Sequence, residues 1–189
     1  KILRSSLTTG LSGNQSIEIG GEAAINNFDQ IFKNEDYVDG AYILNVNDDV
    51  SVKENRYEIF ANHTYNISSR MVLQSSLIGE FSKISSLSIP LAGENIERSK
   101  KFSFIKPRVD FRYDFSDRDQ LRLTAEKKVS QLNFQNFVAT YDAGNDVLRL
   151  GNTDIVPEKS WNYSLTYEHR LPSDAGALQI EFFYRDLKD

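Results

Sequence analysis

FSFIKPRVDFRYDFSDRDQLRLTAEKKV, residues 102–129, is the stretch that decides the fold of this chain. In its first half apolar and charged side chains alternate: Val109, Phe111, Tyr113 and Phe115 share one face of an extended chain, and Arg108, Asp110, Arg112 and Asp114 share the other. After a short polar turn the pattern resumes, with Leu121, Leu123 and Ala125 on the apolar side and Arg122, Thr124, Glu126 and Lys128 on the polar side. Because side chains alternate across a strand with period two, the stretch predicts a β-hairpin with one apolar and one charged face.

The same division predicts three further hairpins, formed by residues 3–11 and 17–25, 57–65 and 73–81, and 161–167 and 178–184. The turns within the hairpins are short. The connections between them, predicted as loops over residues 26–49 (with a short strand at 41–44), 83–101 and 131–159, are long. The pattern therefore predicts an all-β fold, an antiparallel up-and-down meander of about eight strands. The sequence does not fix the register of the central hairpin; pairing Phe115 with Leu121 would set Asp114 across from Arg122, a favourable cross-strand pair.

No amphipathic helix is available to cover the apolar faces, so lipid is the simplest environment for them. Strands of about ten residues suit a tilted membrane crossing, and short turns at one end with long loops at the other are typical of outer-membrane barrels. We therefore predict a partial transmembrane β-barrel.

Composition excludes several classes of function. The 189 residues contain no cysteine, which rules out disulfides and thiol chemistry, and the net charge of −5 argues against a nucleic-acid partner. No catalytic motif or cofactor motif is present, so we predict neither an enzyme nor a bound cofactor. His63 and His169 have no carboxylate at ligand spacing, and no metal site is predicted, although residues 45–49 and 142–146 carry oxygen ligands that calcium accepts.

Several segments resemble a known family. Residues 151–163, GNTDIVPEKSWNY, are similar to the G-N-x-x-L-x-P-E-x-S-x-N-Y stretch in the barrel domain of TonB-dependent receptors, the outer-membrane importers of iron chelates, cobalamin and some sugars. IKPR at 105–108 and FFYRD at 182–186 also look like strands of that family. The resemblance spans most of residues 56–186. It implies a location in the bacterial outer membrane and, in the parent protein, a plug domain, TonB and a small-solute ligand as partners.

The chain starts at Lys1 without a methionine and stops just after an apparent strand. We expect residues 1–189 to be a fragment of an outer-membrane β-barrel domain, with the plug domain and the remaining strands absent. Its function would be to form a barrel segment of a receptor for energised uptake of a scarce solute. Two alternatives remain: a complete small outer-membrane pore or adhesion barrel, and a soluble β-sandwich binding module.

Two groups of residues are candidate sites. The charged set predicted to face the lumen comprises Arg108, Asp110, Arg112, Asp114, Arg122, Glu126 and Lys128, although the solvent-exposed face of a soluble sheet would show the same pattern. Phe134, Phe137 and Tyr141 in the third long loop are candidate ligand contacts, or they pack to order the loop. Trp161, Tyr163 and Tyr184 suit an aromatic belt at the membrane interface. Membrane lipid is a further partner, and the fragment is expected to self-associate through its open edges.

Overall fold

The computed structural model describes residues 1–90, 94–137, 140–142, 147–149 and 155–188. In these ranges the strands are β1 (Ile2–Ser12), β2 (Gln15–Val38), β3 (Ala41–Ser68), β4 (Met71–Pro90), β5 (Ile96–Asp114), β6 (Asp119–Val129), β7 (Thr140–Asp142), β8 (Val147–Arg149), β9 (Lys159–Arg170) and β10 (Ala177–Lys188). Two short 3₁₀ helices, Phe134–Phe137 and Pro172–Asp174, complete the secondary structure of the described residues. None of the helices there is long and apolar enough to cross a membrane.

Eight of the strands form one antiparallel sheet in the order β1-β2-β3-β4-β5-β6-β9-β10. Each strand pairs with its neighbour in sequence, except that β6 passes to β9 across the third long connection, where β7 and β8 pair separately. The predicted all-β meander of about eight strands is therefore confirmed. Because β1 and β10 remain the two edges, the chain does not close into a small barrel of its own.

The central hairpin has a register that differs from the one considered from sequence. Tyr113 pairs with Leu121, and Arg112 faces Arg122. The observed register is two residues away from the pairing of Phe115 with Leu121, because the backbone N–H of Phe115 donates to the carbonyl of Asp119 at 2.9 Å and so closes the turn earlier. Asp114 consequently lies across from Gln120, which donates to its carboxylate at 2.8 Å.

Strands β2 to β5 are longer than the sequence predicts. The loop predicted over residues 26–49 is instead a continuation of the β2–β3 hairpin, which closes in a tight turn at Asp39 and Gly40, with φ of 50° and 84°. The loop predicted over residues 83–101 is also wrong for most of its length, since β4 runs to Pro90 and β5 begins at Ile96. In both segments the alternation of apolar and polar residues fades, but the backbone pairing between the strands continues.

The two faces of the sheet differ as the alternation predicts, but burial is inverted relative to a soluble protein. Among the residues whose burial the structure describes, all the buried strand residues lie on the polar face, including Glu54, Asp110 and Val52. The apolar face stays open, with Phe182 68% and Ile59 63% exposed. No second layer of the described structure covers this face, so the soluble β-sandwich alternative is not supported.

Candidate functional site

The polar face carries a compact ion-pair network where β2, β3, β4 and β5 run side by side. Glu22, Glu58 and Glu80 stand in one cross-strand row, which places three carboxylates next to one another. Lys106 on β5 lies between two of them, with its Nζ 2.9 Å from Glu58 Oε1 and 2.6 Å from Glu80 Oε2. The guanidinium of Arg56 reaches Glu22 Oε1 at 3.4 Å. Arg4 also approaches Glu22, at 3.6 Å. Because like charges opposite each other repel, these cations offset the repulsion within the row.

A second network joins β5 to β6 and is centred on Asp110, which is only 5% exposed. Its Oδ1 accepts from Arg122 Nε at 3.0 Å, and its Oδ2 accepts from the hydroxyl of Thr124 at 2.9 Å. Arg108 Nη2 approaches the same carboxylate at 3.7 Å. Asp110 therefore has partners for both oxygens, which a buried carboxylate requires.

The structure places all seven charged residues predicted for the lumen on this polar face and links them by ion pairs. Arg108 also contacts Glu126 at 3.1 Å, and Lys128 contacts the other oxygen of Glu126 at 2.8 Å. Arg112 lies 3.5 Å from Asp114 through its Nε, which has no partner within hydrogen-bonding geometry. That this face looks onto a lumen stays a prediction.

At the end of the sheet that carries the third long connection, between β6 and β9, the polar face becomes apolar and this connection packs against it. Val50, Val52 and Ile84 form a buried cluster. The partly buried side chains that pack on this cluster are Phe28 and Phe102 from the sheet and Leu132, Phe134 and Ile155 from the connection. Phe134 therefore contributes to ordering the connection. Phe137 ends the 3₁₀ helix and Tyr141 lies in β7, paired with Leu148, but the side chains of both fall outside the described structure.

Between this connection and the first ion-pair network lies a polar cavity of about 180 Å³. Glu54, Arg56, Glu80 and Lys106 line it from the sheet, and residues 129–132 with Pro157 line it from the connection. Arg56 Nε is buried here without a hydrogen-bond partner, at 3.8 Å from Glu58 Oε1. The cavity is large enough for several ordered waters, which buried polar groups of this kind recruit.

Three aromatic rings lie next to one another on the apolar face of β9 and β10. Trp161 stacks on Tyr163 with ring centroids 6.1 Å apart, and Tyr163 stacks on Tyr184 at 6.3 Å. These are the three residues that the sequence assigns to an interfacial belt. The structure sets them side by side on the apolar face of β9 and β10. That they form an interfacial belt stays a prediction.

At the short-turn end, a cluster around Asp119 was missed by the sequence analysis, which found no carboxylate near His169. Asp119 accepts hydrogen bonds from Ser116 Oγ at 2.6 Å and from Tyr167 Oη at 2.7 Å, and its Oδ1 lies 2.7 Å from His169 Nδ1. These bonds, that of Ser116 foremost, hold the pKa of the Asp119 carboxyl below its usual range. Asp119 and His169 are 50 residues apart, and only the register of β6 on β9 reveals the pair. The cluster ties the β5–β6 turn to the end of β9.

A single sheet that is charged and ion-paired on one face and openly apolar on the other defines the wall of a transmembrane β-barrel. Residues 3–189 match the sequence profile described as "TonB dependent receptor-like, beta-barrel", and the chain belongs to that family. Barrels of this family reside in the bacterial outer membrane, and the family is one of receptors and transporters. Comparison of the sequence with curated proteins finds no significant match.

Solved structures show the same fold at low sequence identity. The siderophore receptor PiuA of Acinetobacter baumannii aligns with a TM-score of 0.73 and 10% identity over 95% of this chain and 30% of its own. The closed form of the ferric-catecholate import receptor Fiu of E. coli K12 aligns with a TM-score of 0.69 and 14% identity over 98% of this chain and 30% of its own. For the ferric yersiniabactin uptake receptor FyuA of Yersinia pestis the values are 0.65 and 14%, over 99% and 28%. The chain thus spans less than a third of the length of these receptors.

Proposed function

We propose that this chain forms one section of the barrel wall of a TonB-dependent receptor that takes up a scarce solute by energised transport, and that the solute is an iron chelate. The observation that carries the proposal is the two-faced sheet, with its charges ion-paired on one side and its apolar side chains open on the other. The solved receptors that share its fold are described as importers of ferric catecholates and ferric yersiniabactin and as a siderophore receptor. Cobalamin and oligosaccharides are the competing solutes.

In this proposal the polar face looks into the lumen. The family implies a plug domain, TonB and a small-solute ligand. A plug would present polar groups to the networks around Lys106 and Asp110, which are already largely neutralised by their own ion pairs. Because little net charge remains, the plug could slide along this wall without breaking strong charge pairs.

The third long connection and the extended ends of the β2–β3 and β4–β5 strand pairs would form the outer mouth of the receptor, where the solute is first bound. The packing of Phe134 on the cluster around Val52 supports a role in holding the third connection over the sheet. Phe137 and Tyr141 are then the aromatic residues proposed to contact the solute. Flat ring faces suit the aromatic and conjugated groups that many iron chelates present.

The test is uptake by iron-limited cells that produce the full-length parent receptor as their one importer of the chelate. Labelled ferric chelate should accumulate, and accumulation should stop when TonB is absent. Phe137→Ala with Tyr141→Ala should weaken binding to whole cells at least tenfold, whereas Phe183→Ala, an exposed aromatic on β10, should leave binding unchanged. Accumulation of labelled cobalamin or an oligosaccharide in place of the chelate would assign another solute, and uptake that continues without TonB would refute the function.

A further inference from the structure

The apolar face changes character step by step along β3, β4 and β5. Three neighbouring cross-strand rows lie in order towards the end of the sheet that carries the third long connection. They are Ile59-Gly79-Ile105, then Tyr57-Phe81-Ser103, then Asn55-Lys83-Lys101. Aliphatic side chains thus give way to aromatic ones and then to amines within two rows. This order is the profile of a membrane–water interface, with lysines at the level of the lipid headgroups.

Lys83 and Lys101 face each other directly across β4 and β5. Lys53, on β3, lies opposite Ser85, one row further out and diagonal to Lys83. All three side chains are exposed, and no carboxylate of the described residues lies within ion-pair distance of their amines. Like charges placed opposite each other destabilise a sheet. By contrast, two lysines of the polar face, Lys106 and Lys128, each have a glutamate partner.

A groove of about 400 Å³ adjoins these amines on the same face. Tyr57, Phe81 and Ser103 line it on the membrane side, and Lys83 and Lys101 line it on the outer side. Tyr57 and Phe81 are at least half exposed, so their rings are open to a hydrocarbon chain. The groove therefore offers apolar contacts below and two positive charges above.

We propose that this groove is a binding site for a phosphorylated lipid of the outer leaflet. Lys83 and Lys101, with Lys53 beside them, hold the headgroup phosphates, and the acyl chains run down over Tyr57 and Phe81. The lysine row lies towards the end of the sheet that carries the third long connection and the extended ends of β2 to β5. Because long connections lie on the extracellular side of such barrels, the row falls at the outer surface of the membrane. A lipid is the occupant because the groove is continuous with the apolar band that the membrane covers, and because its charge complements a phosphate.

The experiment uses the full-length parent receptor, purified and delipidated in a neutral detergent. Retention of bisphosphorylated lipid A after reconstitution is measured by native mass spectrometry, alongside lipid A stripped of both phosphates and phosphatidylcholine. Wild-type receptor should retain the bisphosphorylated lipid preferentially. Lys83→Gln with Lys101→Gln should weaken retention about 30-fold, since each lysine near an anionic headgroup contributes roughly fivefold.

Two control variants separate a lipid site from a structural role. Arg70→Gln with Arg118→Gln removes the same charge from the short-turn end of the sheet and should retain lipid as wild type does. Lys83→Arg with Lys101→Arg keeps the charge and should also retain it. In detergent without lipid, the double Gln variant should unfold at the same temperature as wild type or higher, because it removes a repulsion.

Three results would overturn the proposal. One is equal retention by wild type and the double Gln variant. Another is equal retention of the dephosphorylated lipid, which would leave only apolar contact. The third is competition by millimolar inorganic phosphate that displaces the lipid completely, which would make the site one for a free anion.

Discussion

Replacing Lys106 by methionine is the most informative single test of how the wall is held together. The amine of Lys106 is shared by Glu58 and Glu80, at 2.9 and 2.6 Å, and the three side chains are 19%, 15% and 13% exposed. Methionine keeps most of the apolar stem but leaves two facing carboxylates without their common cation. Removing one partner of a fully buried pair costs about 3–5 kcal/mol, and an exposed pair contributes about 0.2–1 kcal/mol. For this mostly buried site we expect a loss of about 2–4 kcal/mol in the free energy of unfolding.

The assay is denaturant unfolding of the full-length receptor in detergent micelles, followed by the circular dichroism of its strands. Lys128→Met is the matched control, because Lys128 also contacts a glutamate, at 2.8 Å, but its side chain is 62% exposed. The control should lose less than about 1 kcal/mol. Adding Glu58→Gln and Glu80→Gln to Lys106→Met should restore most of the loss, since the repulsion disappears. Equal losses for Lys106→Met and Lys128→Met would show that the network does not hold the strands.

Four further outcomes are expected. Gly20→Ala should destabilise the barrel by about 2 kcal/mol, because a Cβ there would lie 2.5 Å from a ring carbon of Phe60. Gly13→Ala is the control: a Cβ at Gly13 would meet no atom within 4 Å, so this variant should be neutral in the same unfolding assay. Val52→Ala should cost about 2 kcal/mol, since the side chain is fully buried, and a loss below 0.5 kcal/mol would contradict the packing described for its cluster. Because the pKa of the Asp119 carboxyl is lowered from its ordinary value of 3.8, the ionised carboxylate stabilises the fold above that pH, and this contribution is lost as the pH falls towards the pKa of the folded state. The difference in stability between wild type and Asp119→Asn should therefore narrow below about pH 4. A constant difference from pH 7 to pH 2.5 would count against this role of Asp119. The isolated chain should sediment as oligomers in detergent-free buffer, and a clean monomer would be incompatible with open edges and an open apolar face.

Which side chains share a face of the sheet was predictable from sequence, because successive residues of a strand point to opposite faces and the two faces differ in polarity. On the apolar face, which carries Phe111 and Leu123, every second position is apolar, and the period is plain in the sequence. The same constraint placed the charged residues around Asp110 on one face. Strand direction and neighbour order then follow from the short turns.

The lengths of β2 to β5 were not predictable from the same signal. In residues 26–49 the alternation is lost, which is expected of strands that extend past the apolar band, and Phe28 there packs on the cluster around Val52. The pairing there is carried by backbone hydrogen bonds, which leave no period in the sequence. One local signal was available and overlooked. Asp39-Gly40 is a two-residue turn with positive φ at both positions, the type that closes a tight hairpin.

The candidate site was predictable as a face but not as a set of pairs. The alternation groups Arg122 with Asp110, but that Asp110, and not Asp114, is its partner depends on a register that only the turn geometry fixes. The same is true of Lys83 and Lys101, which the sequence puts inside a loop and the structure puts opposite each other. A shift of one residue would turn every side chain to the other face, so small errors in register change the whole chemistry of a sheet.

The inversion of burial is what links this fold to its place in the cell. In water, a sheet that buries Glu54 and Asp110 and leaves Phe182 exposed is unfavourable. Each apolar side chain left in contact with water costs roughly 1.5–3 kcal/mol relative to the same side chain buried. In a bilayer the same arrangement is favourable, because hydrocarbon takes the apolar face and the polar face needs only partners of its own. The ion pairs of Lys106 and Asp110 are those partners. With their charges paired, these side chains pack closely without each charged atom being hydrated by bulk water. The inner wall of a barrel that is filled by a plug has the same requirement.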